Sequence, residues 1–260
     1  MFKRYTKTKK GGVKKIAKVS RTNSFLDQAK LSKLQKSFNE GTLDGSTLFS
    51  PIVTITVGRD GRVFAAHEDI LSSSPFFAIV LKESRFVAAE KKNISLLDEE
   101  PEIFSCILEY LYKGDYSPRL IKGKSKDSLS LENGTGPKSF GVTCYVSSVN
   151  EYLLRDTVIY CAAEKYGFED LKNLALKKQG LHRGIEVATI LRSARFAYAN
   201  TPMADSRLRA HYLSLIIRCR KTFRSSGTMQ IEMENGGRIF FDLFVALCNQ
   251  IDNSVTKRNP

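Results

Sequence analysis

Three residue types that form hydrolase triads occur close together in the stretch FAAHEDILSSSPFF, residues 64–77. They are His67, Asp69 and Ser72. A triad requires a nucleophile within hydrogen-bond reach of a base and a third group that orients that base, and neighbours in sequence rarely provide this geometry. The chain also lacks the GxSxG motif of a nucleophile elbow. We therefore interpret His67 as a residue that fixes a strand-to-helix junction by hydrogen bonds, and we predict no catalytic residue.

The other sequence patterns that could form a nucleotide-binding or metal site do not meet the spacing that such sites require. Gly58 and Gly61 belong to a hairpin turn, and neither a Walker motif nor a dinucleotide fingerprint follows a strand. His182 and His211 have no metal-ligand spacing to a cysteine or a carboxylate. We predict no metal and no cofactor. The cysteines are odd in number and contain no CxxC pair, so we expect reduced thiols at all five positions, Cys106, Cys144, Cys161, Cys219 and Cys248.

The composition indicates a folded protein with one strongly basic segment. The chain has 260 residues, of which 42% are hydrophobic, enough for a substantial core in one or two domains. Its formal net charge is +14, but residues 1–22 contain nine lysines and arginines and no acid, which leaves +5 for the rest. No apolar run approaches the roughly 20 residues needed to cross a bilayer, and the start MFKRYTKTKK lacks the apolar block of a signal peptide. We therefore expect an intracellular protein of the cytoplasm, the nucleus or both, without a membrane segment.

Residues 1–23 are predicted to be a disordered basic tail, because a Gly-Gly pair and dense like charge oppose compact structure. Three roles remain open for this tail: a solvated arm, a nuclear-import signal, or a salt-sensitive contact with nucleic-acid phosphates. Because the tail has few aromatic residues for base stacking, nucleic acid is expected as a partner only through such phosphate contacts.

A helix and a β-hairpin are predicted after the tail. Residues 51–57 alternate β-branched residues, and a turn with an Asp-Gly pair leads to a short return strand at 63–66, which together predict the hairpin. The helix is predicted at 24–39, with an apolar stripe that it cannot bury alone, formed by Phe25, Leu31, Leu34 and Phe38.

Helices with short connections follow the hairpin. The pattern predicts a short helix at 69–73 and a second one that Ser74 caps, with proline at its first position. A third strand is predicted at 93–97. The next helix, over 99–112, is expected to be capped by Asp98, with acids in its first turn.

The second half is predicted to be a loop followed by helices. Residues 119–150 have little periodicity and are interpreted as an inserted loop, with 139–146 as a candidate strand. Helices are predicted at 152–166 and 168–178. Apolar residues three and four apart then define three helical faces, which are Val187, Ile190, Leu191, Ala194 and Tyr198; Leu208, Tyr212, Leu215, Ile216 and Cys219; and Phe240, Leu243, Phe244, Leu247 and Ile251.

The strings that fill this order resemble the BTB/POZ domain family. VTITVGRDGRVFAAHEDILSSSPFF resembles the family's hairpin, alanine-histidine pair and following helix, and ISLLDEEPEIFSCILEYLYKGDY resembles its second signature. DTVIYCAAEKYGFEDLKNLA is similar to its later helices. The resemblance implies an α+β fold with a short three-stranded sheet flanked by helical hairpins. It places the BTB/POZ domain at 24–178, with an inserted loop at 119–150, and an all-α C-terminal extension at 183–252, a layout similar to that of fungal members.

The resemblance implies an interaction module without catalysis that forms a homodimer. Repressor-type members carry an aspartate and an arginine where this chain has Ile52 and Glu68, so their charged pocket is not expected here. Members dimerise through the helix before the first strand and through the first helical pair. The candidate dimer residues are therefore Phe25, Leu31, Leu34, Phe38, Ile70 and Leu71.

Many members also bind a cullin as a ubiquitin-ligase scaffold, often through an apolar residue, any residue and a glutamate just before the third strand. The nearest match here is Ala88-Ala89-Glu90, whose alanine anchor buries little apolar area. The candidate cullin-binding residues are Phe86, Val87, Ala88, Glu90, Tyr112 and Tyr116. The predicted function is a non-enzymatic, homodimeric adaptor that couples an unidentified recruited protein to a cullin. The alternative is a self-associating scaffold or a nuclear regulator of transcription that binds no cullin.

Overall fold

The computed structural model describes residues 50–85, 93–122, 129–132, 134 and 141–256. All of these residues fall in one compact unit that begins at Thr47. The predicted tail at 1–23 and the predicted helix at 24–39 lie outside the described residues.

A β-hairpin and one further strand form a mixed sheet, as the sequence predicted. Strand β1 (Ile52–Val57) pairs in antiparallel fashion with β2 (Arg62–His67) and in parallel with β3 (Asn93–Leu96), so that the strand order is β2-β1-β3. Gly58 begins the hairpin turn with a left-handed φ of +75°, and a Cβ at this position would meet Pro101 Cγ at 3.0 Å. Glycine is therefore required both by the backbone angle and by the close approach of a neighbouring helix.

The alternation along β1 separates a buried face of the sheet from an outer face. Val53, Ile55 and Val57 are fully buried, and Ile94 and Leu96 of β3 join them in the core. The residues between them, beginning with the exposed Ile52, point to the opposite side. Each buried branched side chain stabilises the fold by about 1.5–3 kcal/mol relative to an exposed one.

Three helices of the first half pack against the buried face of the sheet and one another. They are α1 (Glu68–Leu71), α2 (Pro75–Arg85) and α3 (Pro101–Lys113). The predicted cap of α2 is confirmed, because Ser74 Oγ accepts a hydrogen bond from the Phe77 amide at 3.3 Å. Ser74 Oγ also donates to the Tyr166 carbonyl at 2.6 Å, which ties the start of α2 to a helix far along the chain.

The predicted cap of α3 is wrong. This helix begins at Pro101, and Glu100 occupies the cap position without a side-chain capping bond, so Asp98 lies before the helix rather than at its end. Proline fixes its own φ and favours an extended residue before it, which shifts the start of the helix to Pro101. The predicted stop is confirmed, since Gly114 ends α3 in a left-handed conformation.

Three strands lie within the predicted loop at 119–150, and a fourth follows it, so that two small hairpins form here. Strand β4 (Leu120–Lys122) pairs with β5 (Leu129–Leu131), and β6 (Thr143–Val146) pairs with β7 (Glu151–Leu154). The strand expected within 139–146 is thus confirmed as β6. The helix expected at 152–166 begins later, at Arg155, because the preceding residues are held in β7 by the ladder to β6.

Seven helices complete the described chain. They are α4 (Arg155–Tyr166), α5 (Glu169–Gln179), α6 (Val187–Asn200), α7 (Arg207–Arg218), α8 (Arg220–Arg224), α9 (Gly227–Glu234) and α10 (Arg238–Thr256). The first two predicted faces of the extension are packed, with Ile190, Leu191, Ala194, Leu208, Tyr212 and Ile216 buried. The third, on α10, is packed in part: Leu243 is buried, and Phe240 and Leu247 are partly buried against the core, whereas Phe244 and Ile251 are exposed. None of the helices within the described residues is long and apolar enough to cross a bilayer.

We predict that Ser74→Ala lowers the free energy of unfolding by about 1–3 kcal/mol, because it removes a helix cap and leaves buried backbone groups without a partner. Urea denaturation of the full chain measures the loss. Ser73→Ala is the matched control, since Ser73 is exposed and its hydroxyl bonds only to the Ile70 carbonyl one turn before it. Equal losses in the two variants would contradict the assigned role of Ser74.

Candidate protein-interaction site

The residues that resemble a hydrolase triad do not form one. Ser72 Oγ donates to the Glu68 carbonyl at 2.7 Å, and an Asp69 carboxylate oxygen accepts from the Ile70 amide at 2.8 Å. His67 instead meets Tyr112: its Nδ1 lies 2.7 Å from the Tyr112 hydroxyl, and its backbone N–H donates to the same hydroxyl at 3.0 Å. The prediction that His67 fixes the strand-to-helix junction is confirmed, and Tyr112 is its partner.

An exposed surface surrounds this junction on the outer face of the sheet. Ile52 stands opposite His67 in the β1–β2 ladder, and Val63 stands opposite Thr56. Cross-strand partners share one face of the sheet, and the side chains of Ile52 and Val63 are 66% and 65% exposed. We call this surface, formed by Ile52, Thr54, Thr56, Val63, Ala65 and His67, the outer sheet face.

The sequence prediction did not include Ile52 or Val63 among its site residues. The signal was present in the alternation of β1, because the positions between Val53, Ile55 and Val57 must face away from the core. An apolar residue at such an outward position indicates a surface that another element or protein covers, particularly when a second one lies on the same face.

The candidate dimer residues differ in whether the structure describes them and in how exposed they are. Phe25, Leu31, Leu34 and Phe38 lie outside the described residues and stay predictions. Ile70 is partly exposed on α1, as an interface residue must be. Leu71 is 0% exposed and belongs to the protein's own core, so it does not contact a partner in this conformation. The short helix α1 turns its last residue inward, and the prediction for Leu71 is corrected accordingly.

The candidate cullin-binding residues also differ in whether the structure describes them and in their exposure. Phe86, Val87, Ala88 and Glu90 lie outside the described residues and stay predictions. Tyr112 is 45% exposed at the end of α3, although its hydroxyl already bonds to His67. Tyr116 is 0% exposed, and its hydroxyl donates to Asp156 at 2.7 Å. Tyr116 is therefore a structural residue, because its ring and its hydroxyl are both used inside the protein.

Tyr116 belongs to a buried polar cluster that fixes the segment after α3. The Lys178 side chain is 1% exposed, and its Nζ lies 2.5 Å from an Asp115 carboxylate oxygen. It also donates to the carbonyls of Tyr116 and Pro118 at 2.5 and 2.8 Å. Burial lowers the pKa of Lys178, and Asp115 partly opposes this effect. A buried lysine of lowered pKa can act as a nucleophile, but here three acceptors occupy the amine and the chain covers it.

A second cluster joins α4 and α5 to the segment that precedes α7. Lys172 on α5 binds Asp205, which precedes α7, with Nζ 2.6 Å from the carboxylate, and it also pairs with Glu164 on α4. The Tyr160 hydroxyl donates to Asp205 at 2.6 Å, and Arg207 approaches the same carboxylate at 3.2 Å. Burial alone raises the pKa of Asp205, but hydrogen bonds from Lys172, Tyr160 and Arg207 outweigh it and hold this pKa well below its usual range.

The described residues offer no metal site, and three of their five thiols are buried. No group of three or more His, Cys, Asp or Glu side chains among them is arranged to hold a metal ion. The five cysteines are free, and burial raises the pKa of Cys106 to about 11, so this thiol is protonated at neutral pH. The sequence did miss one pair, because His182 Nε2 lies 2.9 Å from an Asp156 carboxylate oxygen, 26 residues earlier in the chain.

The mixed sheet is flanked by helices and exposes apolar side chains on its outer face, a surface typical of protein-interaction modules. The comparison with known families gives the same result. Residues 51–133 match the family model of the BTB/POZ domain, and no curated protein matches the chain. The chain contains a BTB/POZ domain, and this domain is a protein–protein interaction module.

We predict that Asp205→Asn lowers the free energy of unfolding at pH 7 by about 1.5–3 kcal/mol, because charge-assisted bonds are lost. The pKa of Asp205 is lower in the folded state than in the unfolded state. Its contribution is therefore present above the ordinary aspartate pKa and is lost as pH falls, so the difference from the wild type shrinks below about pH 4.

Urea denaturation at pH 7 and pH 3 measures this difference. The matched control is Asp60→Asn, which removes a carboxylate from the exposed hairpin turn. A difference between wild type and Asp205→Asn that stays constant over this pH interval would show that the carboxylate does not stabilise the fold through its charge.

Proposed function

We propose that this protein is a non-enzymatic, homodimeric adaptor of the cytoplasm or nucleus, which couples a recruited protein to a cullin-type ubiquitin ligase. The BTB/POZ domain carries the dimer contact and the cullin contact, and the C-terminal extension selects the recruited protein. The outer sheet face carries this proposal, because it exposes apolar residues on a rigid part of an interaction domain.

The exposed apolar residues of the outer sheet face support the dimer, because a second protomer would bury them. Single exposed apolar residues are common on protein surfaces, but Ile52 and Val63 share one face of one sheet, and β-branched Thr54 and Thr56 lie between them. The helix predicted at 24–39 has an apolar stripe of the matching kind. In a two-fold dimer, the same patch of each protomer is covered by the other protomer. Each contact between the sheet face of one protomer and the helix of the other therefore occurs twice in the interface.

We predict that Ile52→Asp and Val63→Asp each convert the dimer into a monomer while the protomer stays folded, because both side chains are exposed in the single chain. Light scattering during gel filtration measures the mass, and circular dichroism checks the fold. Val149→Asp is the matched control, an exposed valine in the turn between β6 and β7. A dimer that survives both outer-face substitutions would refute this interface.

The cullin contact rests on the segment just before β3 and on Tyr112. The aromatic ring of Tyr112 is exposed beside His67, and aromatic residues are frequent anchors at protein interfaces. The apolar pair Phe86 and Val87 precedes the weak Ala88-Ala89-Glu90 match and supplies the larger apolar area.

We predict that the double substitution Phe86→Glu and Val87→Glu abolishes cullin binding and leaves the dimer mass unchanged. Calorimetric titration with a cullin N-terminal domain measures binding, which we expect at a dissociation constant of about 1 μM or tighter for the wild type. Leu97→Glu, at an exposed leucine just after β3, is the control that should bind normally. Normal binding by the double variant would remove Phe86 and Val87 from the site.

One observation favours a second function. The position that matches the cullin-binding anchor is Ala88, which offers less apolar area than a larger residue. If the wild-type dimer does not bind a cullin in the same titration, the protein is a self-associating scaffold or a nuclear regulator, and the basic tail becomes the part to test for import.

A further inference from the structure

A cleft of about 540 Å³ opens in the C-terminal half, away from every residue discussed for dimer or cullin contacts. One wall is α7, where His211, Leu215 and Arg218 are spaced by four and three residues and so share one face. The facing wall contains Ile185 and Val187, from the segment before α6 and its first turn. A volume of this size lies within the range of pockets that bind small organic molecules.

The cleft has two polar residues whose hydrogen-bonding capacity is incompletely used. Gln179 is 4% exposed; its Oε1 accepts from Thr157 at 2.6 Å, but its Nε2 makes no well-formed hydrogen bond among the described residues, although the side chain interacts with the nearby Tyr212 hydroxyl. The side chain of His182 is also 4% exposed; its Nε2 bonds to Asp156, but its Nδ1 has no partner. Both residues line the cleft. Both atoms are enclosed, and an unpaired buried polar atom costs about 1–3 kcal/mol. A carboxylate that displaces the surrounding side chains and reaches the Gln179 amide therefore offsets a cost already present in the fold.

The charge of the cleft is entirely of one sign. Arg183 and Arg218 line it, none of its lining residues is acidic, and neither arginine pairs with a carboxylate in the described part of the chain. The pKa of His211 is lowered mainly by burial and to a smaller extent by the positive charge of Arg218. The lining between these groups is apolar, with Ile190 and Phe223 among its residues.

We infer that this cleft binds a small organic acid, with an apolar body between α6 and α7 and a carboxylate held by Arg183, Arg218 and the amide of Gln179. The apolar walls exclude a purely inorganic anion as the best ligand, because burial of apolar surface contributes only when the ligand has such surface. The cationic rim selects against a neutral molecule of the same shape. This inference is independent of the adaptor function, since no residue of the cleft takes part in the proposed dimer or cullin contacts.

The three histidines of the chain report on ligand binding and include their own control, because two of them line the cleft and one lies elsewhere. His182 and His211 line the cleft, whereas His67 sits on the outer sheet face. The full chain is titrated with octanoate at pH 7, and the ring C–H signals are followed by proton NMR, with His67→Gln to assign the third signal. We expect saturable shifts of the His182 and His211 signals, with a dissociation constant of about 1 mM or tighter, and a constant His67 signal.

Two ligand controls and two variants decide the chemistry. 1-Octanol lacks the carboxylate and acetate lacks the apolar body, so both should bind more weakly than octanoate. Arg218→Glu should weaken octanoate binding roughly tenfold, because it replaces an attraction with a repulsion. Arg220→Glu is the matched control, an exposed arginine two positions further on that does not line the cleft. It should bind octanoate as the wild type does.

The cysteines provide a second readout. Cys219 lines the cleft and Cys248 does not, and both are partly exposed free thiols. Octanoate should slow alkylation of Cys219 by iodoacetamide and leave the rate at Cys248 unchanged. The inference is overturned if octanoate shifts no histidine signal, if it shifts all three, or if Arg218→Glu or 1-octanol leaves the affinity unchanged.

Discussion

The fold depends on satisfying the polar residues of α4, a helix that is buried on nearly every side. Arg155, Asp156 and Thr157 begin this helix and are all buried. A buried charge or hydroxyl without a partner is strongly destabilising, so the surrounding elements must bring partners to it. Asp156 receives the Tyr116 hydroxyl from one side and His182 from the other. Thr157 donates to Gln179 and lies 2.5 Å from the Tyr212 hydroxyl.

These partners come from both halves of the described chain. Tyr116 follows α3 in the BTB/POZ domain, whereas Tyr212 belongs to α7 of the C-terminal helices. The Lys172–Asp205 pair and the hydrogen bond from the Leu154 amide to Ser193 Oγ add two more connections of the same kind. One apolar core also runs from Val53 in β1 to Leu243 in α10. The described part of the chain is therefore expected to unfold cooperatively, since neither half can satisfy α4 alone.

Local patterns predicted the sheet and the helix starts that depend on nearby residues. The alternation of β1, the Asp-Gly turn and the Ser74-Pro75 cap each have a physical cause within a few residues, and each was found in the structure. The start of α4 was misplaced because Tyr152, Leu153 and Leu154 suit a helix as well as a strand, and only pairing with β6 decides between them.

Long-range burial could not be predicted in this way. Nothing in the sequence near Tyr116 distinguishes a core tyrosine from a surface one, because its partner Asp156 lies 40 residues further on. The same holds for Lys172 and Lys178, which periodicity alone would place on exposed helix faces. On α10 the spacing gave the opposite error: Phe244 lies on the predicted apolar face, where burial is expected, but it is exposed.

The distribution of satisfied and unsatisfied groups separates the structural sites from the sites that remain open for binding. The lysine, tyrosine and histidine that could have supported catalysis are Lys178, Tyr116 and His67, and each is bonded to a partner within the chain. What stays open is an apolar outer face on the sheet and a cationic cleft at α7. An apolar face that lacks charge suits a second protein, because shape and area can bind it without a desolvation penalty for ions. A cleft lined by two arginines that pair with no carboxylate among the described residues suits a small anion instead, because a few directed bonds decide its specificity. The physical character of each surface thus assigns it a different kind of partner.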